Sequence, residues 1–242
     1  MDKDCIKWLR QLDENGFVVI DNILKAEEVD AITQCIENVS ATSSNAKVSN
    51  DLFAIRNIFK ELPALKSILF NSRIKWVVEN LFGNDYFVVK GLFFDKPPFS
   101  NWFVSYHQDL SVSVDRKEMI AGFGPWTVKN NQFGVQPPLE ILESIYTIRI
   151  HLDDCTRQNG ALQVIPGSHK KGVIRTTDMD LDKALTHICE VPKAGIMIMR
   201  PLLLHASGRS IVEDKRRVVH IEFCNKQMPV SINWAEQEMI FK

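Results

Sequence analysis

His107 and Asp109 stand two residues apart in an apolar, aromatic run covering 101–114. Along an extended strand, residues i and i+2 project to the same side, so this spacing lets an imidazole and a carboxylate converge on one point. Two such groups need a third. Two histidines and one carboxylate on one face, with open positions opposite, form the donor set that non-haem Fe(II) oxygenases use. The chemistry therefore turns on where a second histidine lies.

Six histidines are available. Three of them are paired at i, i+2 with an acid, as His107/Asp109, His151/Asp153 and His220/Glu222, and ordinary packing explains each pair alone equally well. His205 ends the apolar stretch Arg200-Pro-Leu-Leu-Leu-His205 and is followed at once by Ala206, Ser207 and Gly208. In isolation that segment reads as a core histidine. The sequel changes the reading, because Ser207 and the pair Arg216-Arg217 follow within one hairpin. A bidentate oxo-acid on iron needs its far carboxylate held by a fixed fork of donors, which arginine supplies better than lysine. Alternation divides 216–223 into a polar side (Arg216, Val218, His220, Glu222) and an apolar side (Arg217, Val219, Ile221, Phe223). A solvent-facing edge would show the same pattern, so alternation alone does not choose between the two arginines.

These groups need elements to hold them. Apolar residues at helical spacing predict helices over 3–14 and 26–38, where Val29, Ile32, Ile36 and Val39 share one side, with a short strand over 16–20 between them. The Ser- and Asn-rich stretch 41–51 reads as a loop, and 58–82 as one or two helices ended by Gly83-Asn84-Asp85. From Tyr86 the pattern becomes β-branched and aromatic up to the turn at Lys96-Pro97-Pro98, and the strand carrying His107 and Asp109 follows. The Gly- and Pro-rich segment 115–138 around Trp126 reads as a lid or binding loop, with Pro137-Pro138 opening a short helix. Strand signals recur at 145–152, 161–165, 195–199 and 216–223, and 176–187 reads as a polar surface excursion. A helical opening followed by short strands split by turns favours a closed or double-sheet β architecture such as a jelly roll.

The chain of 242 residues, 45% hydrophobic, suits one domain over 1–242 with a sizeable core. Twenty-nine Lys and Arg balance 30 Asp and Glu, without a dense basic block, so nothing calls for nucleic acid or an anionic membrane and a small-molecule partner is expected. Five scattered cysteines without a C-x-x-C fit neither a disulfide framework nor a zinc knuckle. The charged start and the lack of an 18-residue apolar run make a cytoplasmic, membrane-free protein the expectation.

Seven segments, in order, resemble the phytanoyl-CoA dioxygenase-like branch of the Fe(II)/2-oxoglutarate oxygenases. They are Phe94-Asp-Lys-Pro-Pro98, Tyr106-His-Gln-Asp-Leu110, Gly124-Pro-Trp-Thr-Val-Lys129, Arg149-Ile-His-Leu-Asp-Asp154, the stretch from Asn159-Gly160 to Ser168-His169, Pro201-Leu-Leu-Leu-His-Ala-Ser207, and Arg216-Arg-Val-Val-His-Ile-Glu-Phe223. The resemblance implies a double-stranded β-helix, cupin-like, with an N-terminal helical layer packed on one sheet. It implies His107, Asp109 and His205 as the iron triad, Arg216 as the partner of the distal 2-oxoglutarate carboxylate, and Ser207 as a hydrogen bonder to the same carboxylate. The offset from His205 selects Arg216 over Arg217, and His151 falls on a family strand that does not bind iron. Two matches are looser: Arg56 resembles a basic position near the cosubstrate, and Arg149 falls where many relatives have tryptophan. The implied chemistry uses O2 and 2-oxoglutarate to oxidise a small molecule, hydroxylation being the expected outcome, with succinate and CO2 formed. Trp102, Phe103, Tyr106 and Trp126 are pocket-wall candidates. The competing readings are a cupin-like metal-binding protein without oxygenase turnover, and a zinc or manganese enzyme on the same ligands that needs no oxo-acid.

Overall fold

The computed structural model describes residues 2–40, 46–48, 53–129, 132–175 and 185–241. It opens with helix α1 (Lys3–Asn15), whose cap Asp2 accepts from the Asp4 amide and whose end is set by Gly16 in the left-handed region at φ 83°. Strand β1 (Phe17–Ile20) and helix α2 (Ala26–Ser40) follow. Next come β2 (Ala46–Val48), β3 (Phe53–Arg56) and three short helices, α3 (Ile58–Glu61), α4 (Pro63–Leu69) and α5 (Ser72–Leu81). The 58–82 region is thus broken twice. Pro63 sits in the first turn of α4, where its missing N–H is not needed, and Asn71 caps α5 by accepting from the amides of Arg73 and Ile74.

The remainder is mostly strands: β4 (Phe87–Lys96), β5 (Val104–His107), β6 (Val112–Val114), β7 (Trp126–Lys129) and β8 (Gln132–Val135), the helix α6 (Leu139–Leu142), then β9 (Tyr146–His151), β10 (Leu162–Val164), β11 (His187–Cys189), β12 (Ile196–Met199), β13 (His205–Ser207) and β14 (Arg216–Cys224). A seven-stranded sheet runs β1-β12-β9-β14-β4-β3-β2, a four-stranded sheet β11-β10-β13-β5, and a small third sheet β6-β8-β7. All pairings are antiparallel. The two larger sheets make the jelly roll expected from the sequence.

Both faces of the large sheet are covered. Its outer face carries Ile148, Ile150, Ile196, Ile198, Val219, Ile221 and Phe223, packed in one core with Val29, Ile32 and Ile36 of α2 and with Leu65, Leu69, Val77 and Val78 of the later helices. Each fully buried aliphatic side chain of that layer contributes about 1.5–3 kcal/mol relative to exposure. The inner face points into the roll. There Met197, Met199, Leu162, Val164 and Leu203 form a second apolar cluster, leaving Arg149, Arg216, His220 and Glu222 of β9 and β14 as the buried polar part of the interior. The polar side of 216–223 is therefore the inside of the roll and not a solvent-facing edge.

Three expectations are corrected. The strand over His107 ends at that residue, so Asp109 lies in the loop beyond it, where its amide donates to the Pro201 carbonyl at 2.9 Å. The supposed lid over 115–138 contributes β7 and β8, which pair with β6 into a sheet closing one end of the roll over Val112, Val114, Val135 and Trp234. Within the loop expected over 41–51, residues 46–48 form β2 against β3. The rest of that loop, like 176–184 of the polar excursion, lies outside the described residues.

Candidate active site

β13 and β5 pair so that His205 lies opposite His107, which brings the two imidazoles together with ring centroids 4.2 Å apart. Asp109, just past the end of β5, reaches both: its Oδ1 is 3.7 Å from Nε2 of His107 and its Oδ2 is 3.6 Å from Nε2 of His205. Donor atoms of the three residues all lie within 4.8 Å of one another, close enough to share one ion. The tautomers are prepared for that. Nδ1 of His107 donates to the Ser105 carbonyl at 2.8 Å and Nδ1 of His205 to the Leu203 carbonyl at 2.9 Å, leaving each Nε2 lone pair pointing at the common centre.

Electrostatics agree with a cation site. Burial raises the Asp109 carboxyl, but His205, His220, Lys90 and His107 outweigh it and hold its pKa at about 2. Burial in turn drops His205 to about 4, so the site presents one carboxylate and a neutral imidazole at neutral pH.

A cavity of about 260 Å3 opens beside the triad, walled by Leu92, Phe94, Trp102, Val104, Leu162 and Ala206. Ser207 and Arg216 line it together with His107, Asp109 and His205. Arg216 is 3% exposed; its Nη2 lies 3.4 Å from Ser207 Oγ, while Nε and Nη1 have no partner within the protein. A buried guanidinium with two idle donors is costly unless an anion meets it. Ser207 Oγ donates at 3.0 Å to the carbonyl of Gly160, which fixes the hydroxyl beside the guanidinium. Gly160 is required there: at φ +84° a Cβ would stand 2.5 Å from the Gly208 oxygen and 2.7 Å from Lys96 Nζ.

Arg149 lies on the same wall, 8% exposed, and donates through Nη1 to Nδ1 of His220 at 3.0 Å. Arginine cannot accept, so His220 carries its proton on Nε2, which donates to Glu222 Oε1 at 3.2 Å, and Lys90 Nζ donates to the same oxygen at 2.8 Å. This buried row of four side chains was hidden from the sequence, where His220/Glu222 read only as a weak metal pair. Cross-strand register supplies the missing signal, since His220 faces Arg149, and Glu222 faces Lys90.

The other expected residues fall as follows. Trp102 lines the cavity. Tyr106 points elsewhere, its hydroxyl 2.9 Å from Thr186 Oγ1; Trp126 packs on the cluster closing the end of the roll; Phe103 is 52% exposed with Arg209 over its ring. Arg56 is exposed on β3 and does not line the cavity. His151 is buried outside the triad, and Asp153 is taken by Arg217, accepting from its Nε and Nη2 at 2.9 and 2.8 Å. Gln108, between the two ligands, donates to the Gly172 and Leu202 carbonyls and accepts from the Ile174 amide, so it pins the loop before His205 to the triad.

The Phytanoyl-CoA dioxygenase (PhyH) family pattern matches residues 12–218, most of the chain. The protein belongs to the phytanoyl-CoA dioxygenase family. Within and around this family, an ectoine dioxygenase of Sphingopyxis alaskensis is 24% identical over 166 residues, which is 65% of this chain and 47% of that protein. The peroxisomal phytanoyl-CoA dioxygenase of Bos taurus is 23% identical over 95% of this chain and 72% of its own length. The chain spans about half the length of the ectoine dioxygenases it matches. Among solved structures, the non-heme alpha ketoglutarate dependent carbocyclase SnoK from nogalamycin biosynthesis aligns with TM-score 0.69 at 16% identity, covering 94% of this chain and 85% of SnoK. EctD from S. alaskensis, crystallised with 2-oxoglutarate and 5-hydroxyectoine, aligns with TM-score 0.69 at 18% identity over 90% of this chain and 75% of EctD. These likenesses establish the fold of this phytanoyl-CoA dioxygenase family member. No described helix is long and apolar enough to cross a membrane.

Proposed function

We propose that this chain is an Fe(II)- and 2-oxoglutarate-dependent dioxygenase, one domain over 1–242, that hydroxylates a small molecule in the cytoplasm with formation of succinate and CO2. The observation that carries the reading is the pairing of a ready donor triad with a buried guanidinium, two of whose nitrogens have no partner, in one cavity. His107, Asp109 and His205 would hold the iron, each imidazole through Nε2. Arg216 would take the far carboxylate of 2-oxoglutarate with the N–H donors that the protein leaves unused, and Ser207, whose O–H is held by the Gly160 carbonyl in the ligand-free chain, would turn that O–H to the same carboxylate. When bound, iron and 2-oxoglutarate supply the oxidising chemistry with O2. The chain orients the acid by its distal carboxylate in a cavity whose walls are largely apolar. Asp109 supports hydroxylation over halogenation, because related halogenases replace this carboxylate with a small residue to admit halide.

The EctD crystals with Fe and with 2-oxoglutarate support the same reading by analogy of fold. The test is release of CO2 from 1-14C-labelled 2-oxoglutarate by the purified protein across a substrate panel, with and without Fe(II). Iron-dependent, substrate-stimulated release with matching succinate is expected. Metal binding with no release across the panel would overturn the reading in favour of a cupin-like binding protein.

A further inference from the structure

Resting on the reading above, we infer that the substrate carries one negative charge, a carboxylate, and that Arg149 is the residue that receives it. The argument is a count of buried charge. The cavity is lined by three cations, Lys90, Arg149 and Arg216, and by two carboxylates, Asp109 and Glu222. The histidines there add nothing: His107 and His205 each donate through Nδ1 and turn a bare Nε2 to the metal centre, and His220, whose Nδ1 accepts from Arg149, is neutral. Lys90 and Glu222 form their own ion pair at 2.8 Å. Ferrous ion and dianionic 2-oxoglutarate bring equal and opposite charge, so loading the site with both leaves the excess of one positive charge untouched.

Arg216 is the cation placed for the distal carboxylate, beside Ser207. Arg149 is the one left over. Its neighbour His220 is a neutral acceptor, its Nε has no hydrogen-bond partner, and no carboxylate is paired with it among the described residues. A desolvated guanidinium without an anion is held at a cost, which favours any ligand that supplies the missing charge. The row behind it makes the position fixed: Lys90 holds Glu222, Glu222 holds the His220 Nε2–H, and His220 Nδ1 accepts from Arg149. Such a chain orients Arg149 without neutralising it.

The excess of a single charge and the idle N–H point to a carboxylate and not to a phosphate ester, which brings about −1.5 to −2 at neutral pH. At about 260 Å3, shared with 2-oxoglutarate, the cavity holds only the part of the substrate that lies beside the triad. Its walls at Leu92, Phe94, Trp102, Val104, Leu162 and Ala206 suit an aliphatic or aryl body. The substrate class is a monocarboxylic acid with an apolar body.

The test uses the full chain loaded anaerobically with Fe(II) and 2-oxoglutarate. Short-chain, branched and aryl carboxylic acids and their primary amides are titrated against the visible charge-transfer band of the Fe(II)–oxo-acid chelate. Affinity for 2-oxoglutarate itself is measured separately by calorimetry. At least one acid should bind about tenfold or more tighter than its amide. Arg149→Gln should erase that preference while 2-oxoglutarate affinity stays within about threefold, and Arg149→Lys, which keeps the charge, should retain part of it. If Arg149→Gln instead weakens 2-oxoglutarate about tenfold and leaves any acid preference unchanged, the guanidinium serves the cosubstrate and the inference is wrong. It is equally wrong if no acid binds or acids and amides bind alike. A wild-type protein that gives no band with Fe(II) and 2-oxoglutarate overturns the oxygenase reading, and this inference falls with it.

Discussion

Replacing Arg216 with methionine should move binding and stability in opposite directions. In the ligand-free protein the guanidinium is buried, its nearest hydroxyl is 3.4 Å away, and Nε and Nη1 bond to nothing in the protein. Methionine fills similar space without a charge to desolvate, and swaps of buried ionic groups for apolar ones are often stabilising by about 1–4 kcal/mol. For a chain of 242 residues, each kcal/mol corresponds to roughly 2–4 °C in Tm. The ligand-free variant should therefore melt a few degrees higher than wild type. For 2-oxoglutarate the sign reverses. Hydrogen bonds to a charged group are worth about 1.5–3 kcal/mol, so losing the anchor weakens the acid by roughly 10- to 150-fold. Differential scanning fluorimetry with and without 2-oxoglutarate, and calorimetric titration of the metal-loaded protein, read both quantities. A variant that melts lower without ligand, or that binds 2-oxoglutarate within twofold of wild type, refutes the assignment of Arg216 as an anion anchor kept unpaired for the cosubstrate.

Three further perturbations follow from the packing. Glu236 is 8% exposed, with one oxygen accepting from the Gly91 amide at 3.2 Å and the other unpartnered, and burial lifts its pKa to about 7. Because the folded value lies above the unfolded one, near 4.5, its favourable contribution is complete below the unfolded value and is lost as pH rises through about 7. Glu236→Gln should raise Tm at pH ~8 and leave it nearly unchanged at pH ~4, with the two scans compared directly. Gly91→Ala places a Cβ 2.7 Å from Ile58 Cγ2 and from the Phe59 ring, so β4 and α3 must separate; a loss of about 1–3 kcal/mol in urea unfolding is expected. Asp153→Ala removes the carboxylate that accepts from the Arg217 amide, Nε and Nη2, which should lower stability by about 1–3 kcal/mol yet leave 2-oxoglutarate affinity unchanged.

Much of the site was legible in the sequence because its signals are local. The two-residue spacing of His107 and Asp109, the histidine ending an apolar run at 205 and the arginine beginning a strand at 216 each survive without knowledge of the fold. Helices α1 and α2 show the same legibility, since one apolar stripe against a sheet imposes its period directly on the chain. What escaped depends on partners distant in sequence. β13 is three residues long, too short to show alternation, and exists because His205 pairs with His107 of β5. β7 and β8 hide behind Gly and Pro, and their sheet is completed only by β6. The role of the polar side of β14 was undecidable locally, because an interior wall and a solvent face alternate alike. Only the helical layer on the opposite face and the four-stranded sheet on this one show that His220 and Glu222 are enclosed, in a row that ends on Arg149.

The central claim rests on which three side chains form the iron centre and whether an oxo-acid chelates there. Anaerobic titration with Fe(II) and then 2-oxoglutarate, followed by visible spectroscopy, addresses both in wild type, His107→Ala and His151→Ala. The account predicts a weak charge-transfer band in wild type and in His151→Ala, and none in His107→Ala. A band that persists in His107→Ala, or that never forms in the iron-loaded wild type at any 2-oxoglutarate concentration, would contradict it.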